Sequence, residues 1–272
     1  MPDIRYAQNE NVDRGDLRMQ VIERGTSTPI DDAKISISYS GDPDSTVEEV
    51  NTDASGMSET LTLDTPPLEL SMQPSEVQPY AEYTIQVTAK GYRPINISGI
   101  EVFSGQLSLQ EIRMDAEKAT ESMTDNIVIP AHTLFAEYPP KIAEAEIKPV
   151  TETGEIVLSR VVIPEYVIVH DGVPEDPTAQ NYWVRYKDYI KNVASSEIYS
   201  TWPESAIYAN ILVIQSFTLN RVYTEWYRNK GYSFTITSST AYDQKFMYGR
   251  NIYQSISDVV DEMFQNYLSR PN

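Results

Sequence analysis

The stretch Tyr83-Thr-Ile-Gln-Val-Thr-Ala-Lys-Gly-Tyr92 decides the fold of the N-terminal half. Tyr83, Ile85 and Val87 alternate with Thr84, Gln86 and Thr88. That is the period of a strand with one face buried. Gly91-Tyr-Arg-Pro94 then interrupts it with turn chemistry. The same period recurs on both sides: Leu17, Met19 and Val21; Ile35, Ile37 and Tyr39; Leu61 and Leu63; Leu107 and Leu109. Turn residues separate these runs at 25–29, 41–43, 55–56 and 66–67. Short strands at such spacing predict a β-sandwich over 16–114. The polar residues 1–15, ending in Arg14-Gly15, read as a flexible leader.

From 115 the periodicity fades, and Pro130, Pro139, Pro140 and Pro149 mark an irregular linker over 115–154, with Asn126-Ile-Val-Ile-Pro130 as a short strand inside it. Strand-like runs return at Ile156-Val-Leu and at Val161-Val-Ile-Pro-Glu-Tyr-Val-Ile-Val169, followed by a loop at 171–181. After Tyr182 the period becomes helical. Tyr186, Tyr189, Ile190 and Val193 share one helix face. Thr201-Trp-Pro-Glu204 reads as a capping box that starts a helix over 202–229, which Gly231 stops. The run Ile211-Leu-Val-Ile214 is apolar all round and is expected to be buried on most sides. Tyr232-Ser-Phe-Thr-Ile-Thr237 reads as a strand. A last helix carries Ile256, Val259, Val260, Met263, Phe264, Tyr267 and Leu268 on one face, capped by Ser255 and Asp258. The fold class is therefore α+β: a β-sandwich, then a mixed α/β region over 155–272 with long helices.

Composition narrows the function. The 272 residues carry a net charge of −19, which disfavours nucleic acid and anionic membranes. No segment approaches the roughly 18 unbroken apolar residues of a membrane span. The polar N-terminus has no apolar segment of the secretory kind. Absence of cysteine excludes disulfides and thiolate chemistry, and the two histidines, His132 and His170, lie far apart, so no metal site or cofactor is expected. Asp42-Pro-Asp44 and 171–176 are acidic without calcium-loop spacing and read as turns. The signatures of serine hydrolases, zinc proteases, phosphate-binding loops and dinucleotide-binding folds are absent. A neutral or mixed-charge polymer such as a glycan remains compatible.

Two resemblances sharpen this. Pro29-Ile-Asp-Asp-Ala33, Thr52-Asp-Ala-Ser-Gly56 and 83–92 are similar to transthyretin-like, carboxypeptidase-regulatory-type domains, which implies an accessory sandwich. Asp188-Tyr-Ile-Lys-Asn-Val-Ala-Ser-Ser-Glu-Ile-Tyr-Ser-Thr-Trp-Pro-Glu-Ser-Ala206 resembles the stage II sporulation protein D (SpoIID/LytB) family, with Tyr189, Ile190, Val193, Glu197, Ile198, Trp202, Pro203, Ala206 and Ala209 in register. A second patch, Thr237-Ser-Ser-Thr-Ala-Tyr-Asp-Gln-Lys-Phe-Met-Tyr-Gly249, matches it at Ser239, Thr240, Gln244, Tyr248 and Gly249. The pairing of the two modules resembles the clostridial spore cortex-lytic enzymes.

What these resemblances imply is a peptidoglycan lytic transglycosylase, associated with spore or cell wall, that cleaves between N-acetylmuramic acid and N-acetylglucosamine. Glu197 is the implied acid/base. One carboxyl group protonates the leaving oxygen and then takes the proton of the muramic C6 hydroxyl as it closes a 1,6-anhydro ring. Ser239, Thr240, Tyr242, Gln244, Tyr248 and Trp202 are candidates to bind the glycan; Trp226 is a further residue able to stack on sugars, and for both tryptophans core packing is the commoner role. Lys191 and Arg221 read as solvated helix positions. The chain departs from the family in three places. Gln215-Ser-Phe217 stands where an Ala-Arg-Thr-type turn is usual, the sporulation members hold zinc with cysteine and histidine whereas this chain has no cysteine, and the family adds a strand region after the last helix, implying a catalytic region cut short. Two rivals follow: a non-catalytic glycan-binding protein that keeps the fold, and a structural component of a spore coat or particle.

Overall fold

The computed structural model describes residues 12–74, 77–117, 124–132, 134, 158 and 160–269. The described fold is mixed α/β, mostly β, with twelve strands and three α-helices among the described residues. The chain divides into two compact units. Unit 1 holds 1–135 and also two short returns of the chain, 199–202 and 248–255; unit 2 holds 136–198, 203–247 and 256–272.

Unit 1 contains two sheets. The first has the order β12-β7-β1-β4: Ile252–Tyr253, Leu107–Met114, Asp13–Glu23 and Leu61–Thr65. The second has the order β3-β2-β5-β6-β8: Asp42–Asn51, Lys34–Tyr39, Ala81–Thr88, Ile95–Val102 and Asp125–Val128. Alternation along β1 buries Leu17, Met19 and Val21, and along β2 and β5 it buries Ile35, Ile37, Tyr83, Ile85 and Val87. These residues fill one core between the sheets, the arrangement of a β-sandwich. Pairing is antiparallel except between β1 and β7 and between β6 and β8. Gly99 in β6 has φ +82°, and a Cβ there would lie 2.2 Å from the Ile129 carbonyl oxygen, so only glycine lets β6 pass this close.

The turn motifs of unit 1 do local work. Thr52 Oγ1 donates to the Ile30 carbonyl at 2.7 Å and accepts from the Ala33 amide at 2.9 Å, joining the two sequence patches 29–33 and 52–56. Asp53 Oδ1 accepts from the Ser55 and Met57 amides, closing the turn before Gly56. The expectation of a leader through Gly15 needs correction at its end. β1 already begins at Asp13, because Arg14 and Gly15 pair with Asp64 and Leu63 of β4. Residues 1–11 lie outside the described residues, as do Ile156 and Val157 of the strand expected there.

Unit 2 has a three-stranded sheet, β10-β9-β11: Asn181–Arg185, Tyr166–His170 and Ile236–Thr237. Helix α1 (Tyr186–Glu197) buries Tyr186, Tyr189, Ile190 and Val193 as its period predicts. Helix α2 (Glu204–Tyr223) buries Ile207, Ile211 and Ile214. Val213 is 57 % exposed, so α2 is buried on one face rather than all round. Helix α3 (Gln254–Met263) begins within unit 1 and buries Ile256, Val259, Val260 and Met263 in unit 2.

Several boundaries shift. The residue before α2 is Pro203, with no side-chain cap, so Thr201 is not the N-cap expected of a capping box. α2 ends at Tyr223, turns follow, and Gly231 closes the segment with φ +86°. The strand expected over 232–237 shortens to Ile236–Thr237, and α3 stops before Tyr267 and Leu268, which are exposed. The loop expected over 171–181 gives way at Asn181 to β10, whose pairing with β9 extends the β period into residues just before α1.

Candidate functional site

Glu197 is the last residue of α1 and is half-buried. Its Oε1 accepts a hydrogen bond from the Lys245 amide at 2.8 Å. The two sequence patches, 48 residues apart, therefore meet at this carboxylate. The meeting is fixed by buried polar bonds along α1. Asn192 exchanges two hydrogen bonds with the Met247 backbone, Nδ2 donating to the carbonyl at 2.8 Å and Oδ1 accepting from the amide at 3.0 Å. Tyr189 Oη donates to Gln244 Oε1 at 3.1 Å. Burial first, then the charges of Asp243 and Glu197, hold the Tyr189 phenol well above its usual range, so it remains a donor.

Gln244 is itself buried. Its Oε1 also accepts from Thr218 Oγ1 at 2.8 Å, and its Nε2 donates to the Ile214 carbonyl at 3.1 Å. All of this amide's hydrogen-bonding is directed into the unit 2 core, so Gln244 positions the loop and does not present itself to a ligand. Tyr242 is half-buried, with its Oη 3.4 Å from Glu175 Oε2. Ser239 and Thr240 form the half-buried turn that precedes it, and the Ser239 carbonyl accepts from the Tyr242 and Asp243 amides.

The other two candidates belong to unit 1. Trp202 donates from Nε1 to the Ser71 carbonyl at 3.1 Å and meets Tyr199 edge-on. Tyr248 Oη accepts from Arg24 Nη1 at 2.6 Å. Glu197, Ser239, Thr240, Tyr242 and Gln244 thus belong to unit 2, while Trp202 and Tyr248 are bonded within unit 1.

Sequence reasoning misread Arg221 as a solvated position. Its side chain is 1 % exposed and its Nε donates to Asp243 Oδ1 at 2.7 Å. Asp243 Oδ2 also accepts from Tyr227 Oη, the Thr237 amide and Thr237 Oγ1 at 2.6, 2.9 and 2.7 Å. A buried ion pair survives only with such a full set of bonds. The Arg221 guanidinium also lies over Phe217 and Trp226, 4.5 and 4.6 Å from the ring centroids. The signal available in the sequence was the position: Arg221 falls i+7 and i+10 from Ile214 and Ile211, on the buried face of α2. Lys191 is likewise not simply solvated. It bridges Asp261 at 2.7 Å, beside Lys187 at 3.2 Å.

Unit 1 holds a second buried charge cluster that the sequence did not announce. Glu101 and Arg250 are both fully buried and paired. Glu101 Oε1 accepts from the His132 amide at 2.9 Å, and Oε2 accepts from Tyr253 Oη at 3.0 Å. Burial alone would raise the Glu101 carboxyl, but Arg250 and His132 outweigh it and hold it down at about 2.

Among the described residues no group of three or more His, Cys, Asp and Glu could hold a metal, and no helix is long and apolar enough to cross a membrane.

No protein-family model matches the chain, and no curated protein matches it. Solved structures overlay part of it. Klebsiella pneumoniae 5-hydroxyisourate hydrolase is 17% identical over 38% of this chain and 92% of its own, with TM-score 0.26. The minor pilin GBS52 of Streptococcus agalactiae is 11% identical over 40% and 47%, with TM-score 0.28. The Bacillus anthracis TIE protein is 15% identical over 38% and 17%, with TM-score 0.27, so this chain spans under a fifth of that protein. The sandwich rests on its own sheets and core rather than on overlays this partial.

Proposed function

We propose that the chain acts on peptidoglycan of the cell wall or spore cortex as a lytic transglycosylase, with Glu197 as its acid and base and the unit 1 sandwich as an accessory module of the transthyretin-like kind. The observation that carries this reading is the Lys245 amide on Glu197 Oε1, which joins the two patches that resemble the SpoIID family. A half-buried carboxyl at a helix end, oriented by a fixed backbone donor, can reach solvent-borne substrate and still keep its geometry. In the reaction the Glu197 carboxyl gives its proton to the glycosidic oxygen as the bond from muramic C1 breaks. The muramic C6 hydroxyl then bonds to C1 and returns its proton to Glu197, leaving a 1,6-anhydro end and a free N-acetylglucosamine hydroxyl. The carboxyl is regenerated and no water is consumed.

A second reading has its own support. Gln244 is spent inside the core, and Trp202 and Tyr248 are bonded within unit 1. That favours a protein that keeps the framework without a completed cleft and without turnover, its glycan contact resting on Ser239, Thr240 and Tyr242. Digestion of spore cortex and vegetative peptidoglycan separates the two. Wild type is expected to release anhydro-muropeptides and Glu197→Gln, which keeps an acceptor for the Lys245 amide, to release none. Absence of products from wild type with retained sedimentation on peptidoglycan selects the binding protein instead.

A further inference from the structure

The chain beyond each side of the Glu197–Lys245 contact passes directly into unit 1. Two residues after Glu197 it enters at Tyr199, and three residues after Lys245 it enters again at Tyr248. Ile198, Phe246 and Met247, the residues on the way, are buried. A separable module is joined through exposed, flexible chain, and these two passages offer no such slack. Within unit 2, Asp243, Gln244 and Met247 are each held by side-chain bonds. Glu197 has less support from its own backbone. It ends α1, and Ile198 after it is already extended, at φ −137° and ψ 153°. Helix ends open at little cost unless the chain beyond them is held, so what holds Tyr199 bears on Glu197.

Unit 1 holds both passages at one place. Tyr199 is buried, its ring centroid 5.1 Å from that of Phe103 and 4.9 Å from that of His132. On the second passage, Tyr248 is bonded to Arg24, and Ile252–Tyr253 lie as β12 on β7. Between them Arg250 pairs with Glu101, and the Asn251 side chain closes on the Glu101 backbone as a neighbouring strand would. Asn251 Oδ1 accepts from the Glu101 amide at 3.2 Å, and its Nδ2 donates to the Glu101 carbonyl at 2.9 Å. Tyr253 Oη donates to Glu101 Oε2, and the Tyr253 ring meets Phe103 edge-on at 5.4 Å. Glu101-Val-Phe103, where β6 ends, is therefore common to both passages. Phe103 packs against Tyr199 of the first and Tyr253 of the second. Glu101 gives its amide, carbonyl and carboxylate to the second. A buried charge with this many partners is costly to loosen, which makes the anchor firm.

We propose that Glu101 and Phe103 are positioning residues for the Glu197 carboxylate: by holding 199–202 and 248–255 they fix the outgoing ends of the two segments that meet at Glu197 Oε1. The sandwich then serves the candidate site as an anchor and is not a detachable accessory. Its effect on turnover rests on the transglycosylase reading, whereas the positioning does not. Coupling through a packed network of this kind amounts to about a 2- to 30-fold change in an equilibrium.

The test compares the wild-type chain with three variants through the NMR signal and hydrogen exchange of the Lys245 amide, with the Ile190 amide inside α1 as reference. Phe103→Leu withdraws the ring from both tyrosines and keeps the core apolar. It is expected to move the Lys245 signal and to speed its exchange by about 2- to 30-fold relative to Ile190. Arg24→Met, at a partly exposed side chain, removes the donor to Tyr248 while Asp115 keeps Arg93 at 3.0 Å. It should move Lys245 in the same direction by less, and it decides the matter should Phe103→Leu fail to fold. Ile37→Val, buried in β2 of the same sandwich, should leave the Lys245 signal in place. A Lys245 amide unmoved in both anchor variants, moved equally by Ile37→Val, or exchanging faster only in step with Ile190 overturns the proposal. Where wild type releases anhydro products, Phe103→Leu should lower kcat by the same factor with KM little changed, and a loss through KM alone counts against positioning. A shifted Lys245 amide in a chain that releases no anhydro products refutes only catalysis by Glu197; products with an unmoved amide refute only the positioning.

Discussion

Replacing Arg250 by methionine is the most informative perturbation of unit 1. Arg250 and Glu101 are fully buried together, and Arg250→Met keeps the volume of the stem while leaving the Glu101 carboxylate without its cation. Breaking one side of a buried pair costs about 3–5 kcal/mol, because the remaining charge is uncompensated. Arg250 and His132 hold the Glu101 carboxyl below its ordinary range in spite of burial, so the native state stabilises the charged form. At roughly 2–4 °C per kcal/mol for a unit of this size, the melting temperature should fall by about 10 °C. The pH dependence follows from the direction of the shift. The folded value lies below the unfolded one, so the Glu101 contribution is complete above about 4.5 and is lost as pH falls towards 2. In Arg250→Met burial dominates and the carboxyl rises instead, so the variant's deficit should shrink between pH 7 and pH 4 as the group takes a proton. Urea unfolding of both proteins at the two pH values measures this. The double variant Glu101→Gln with Arg250→Met should recover part of the loss. A deficit below about 1 kcal/mol, or one equal at both pH values, would show that the pair is hydrated and refute the argument.

Two further outcomes are expected in unit 2. Asp243→Asn removes the charge that pairs with Arg221 and one of the two oxygens that share four hydrogen bonds, Arg221's included, and should cost about 3 kcal/mol in urea unfolding while raising hydrogen exchange at the Lys245 amide. Gln215 is fully buried with neither amide atom bonded. Gln215→Met, which removes two unsatisfied groups at similar volume, should therefore raise the urea midpoint, by about 1–2 kcal/mol in stability.

The strand runs of the sandwich were legible in the sequence because each is a local period of two with one buried face, and 83–92 needed nothing beyond its own alternation. The α1 face was legible for the same reason at period 3.6. The meeting of Glu197 with the 237–249 patch was legible only through resemblance, since no local pattern says that an amide 48 residues away will close on that carboxylate. What only the tertiary structure decided is where polar side chains spend their bonds. Gln244 turned inward, Arg221 and Asp243 were buried as a pair, and Arg250 returned to Glu101 across 149 residues. The physical reason is common to all of them. Burial of an apolar face follows from periodicity along one element, whereas a buried charge is tolerable only when partners from distant segments arrive together, and that coincidence is a property of the fold.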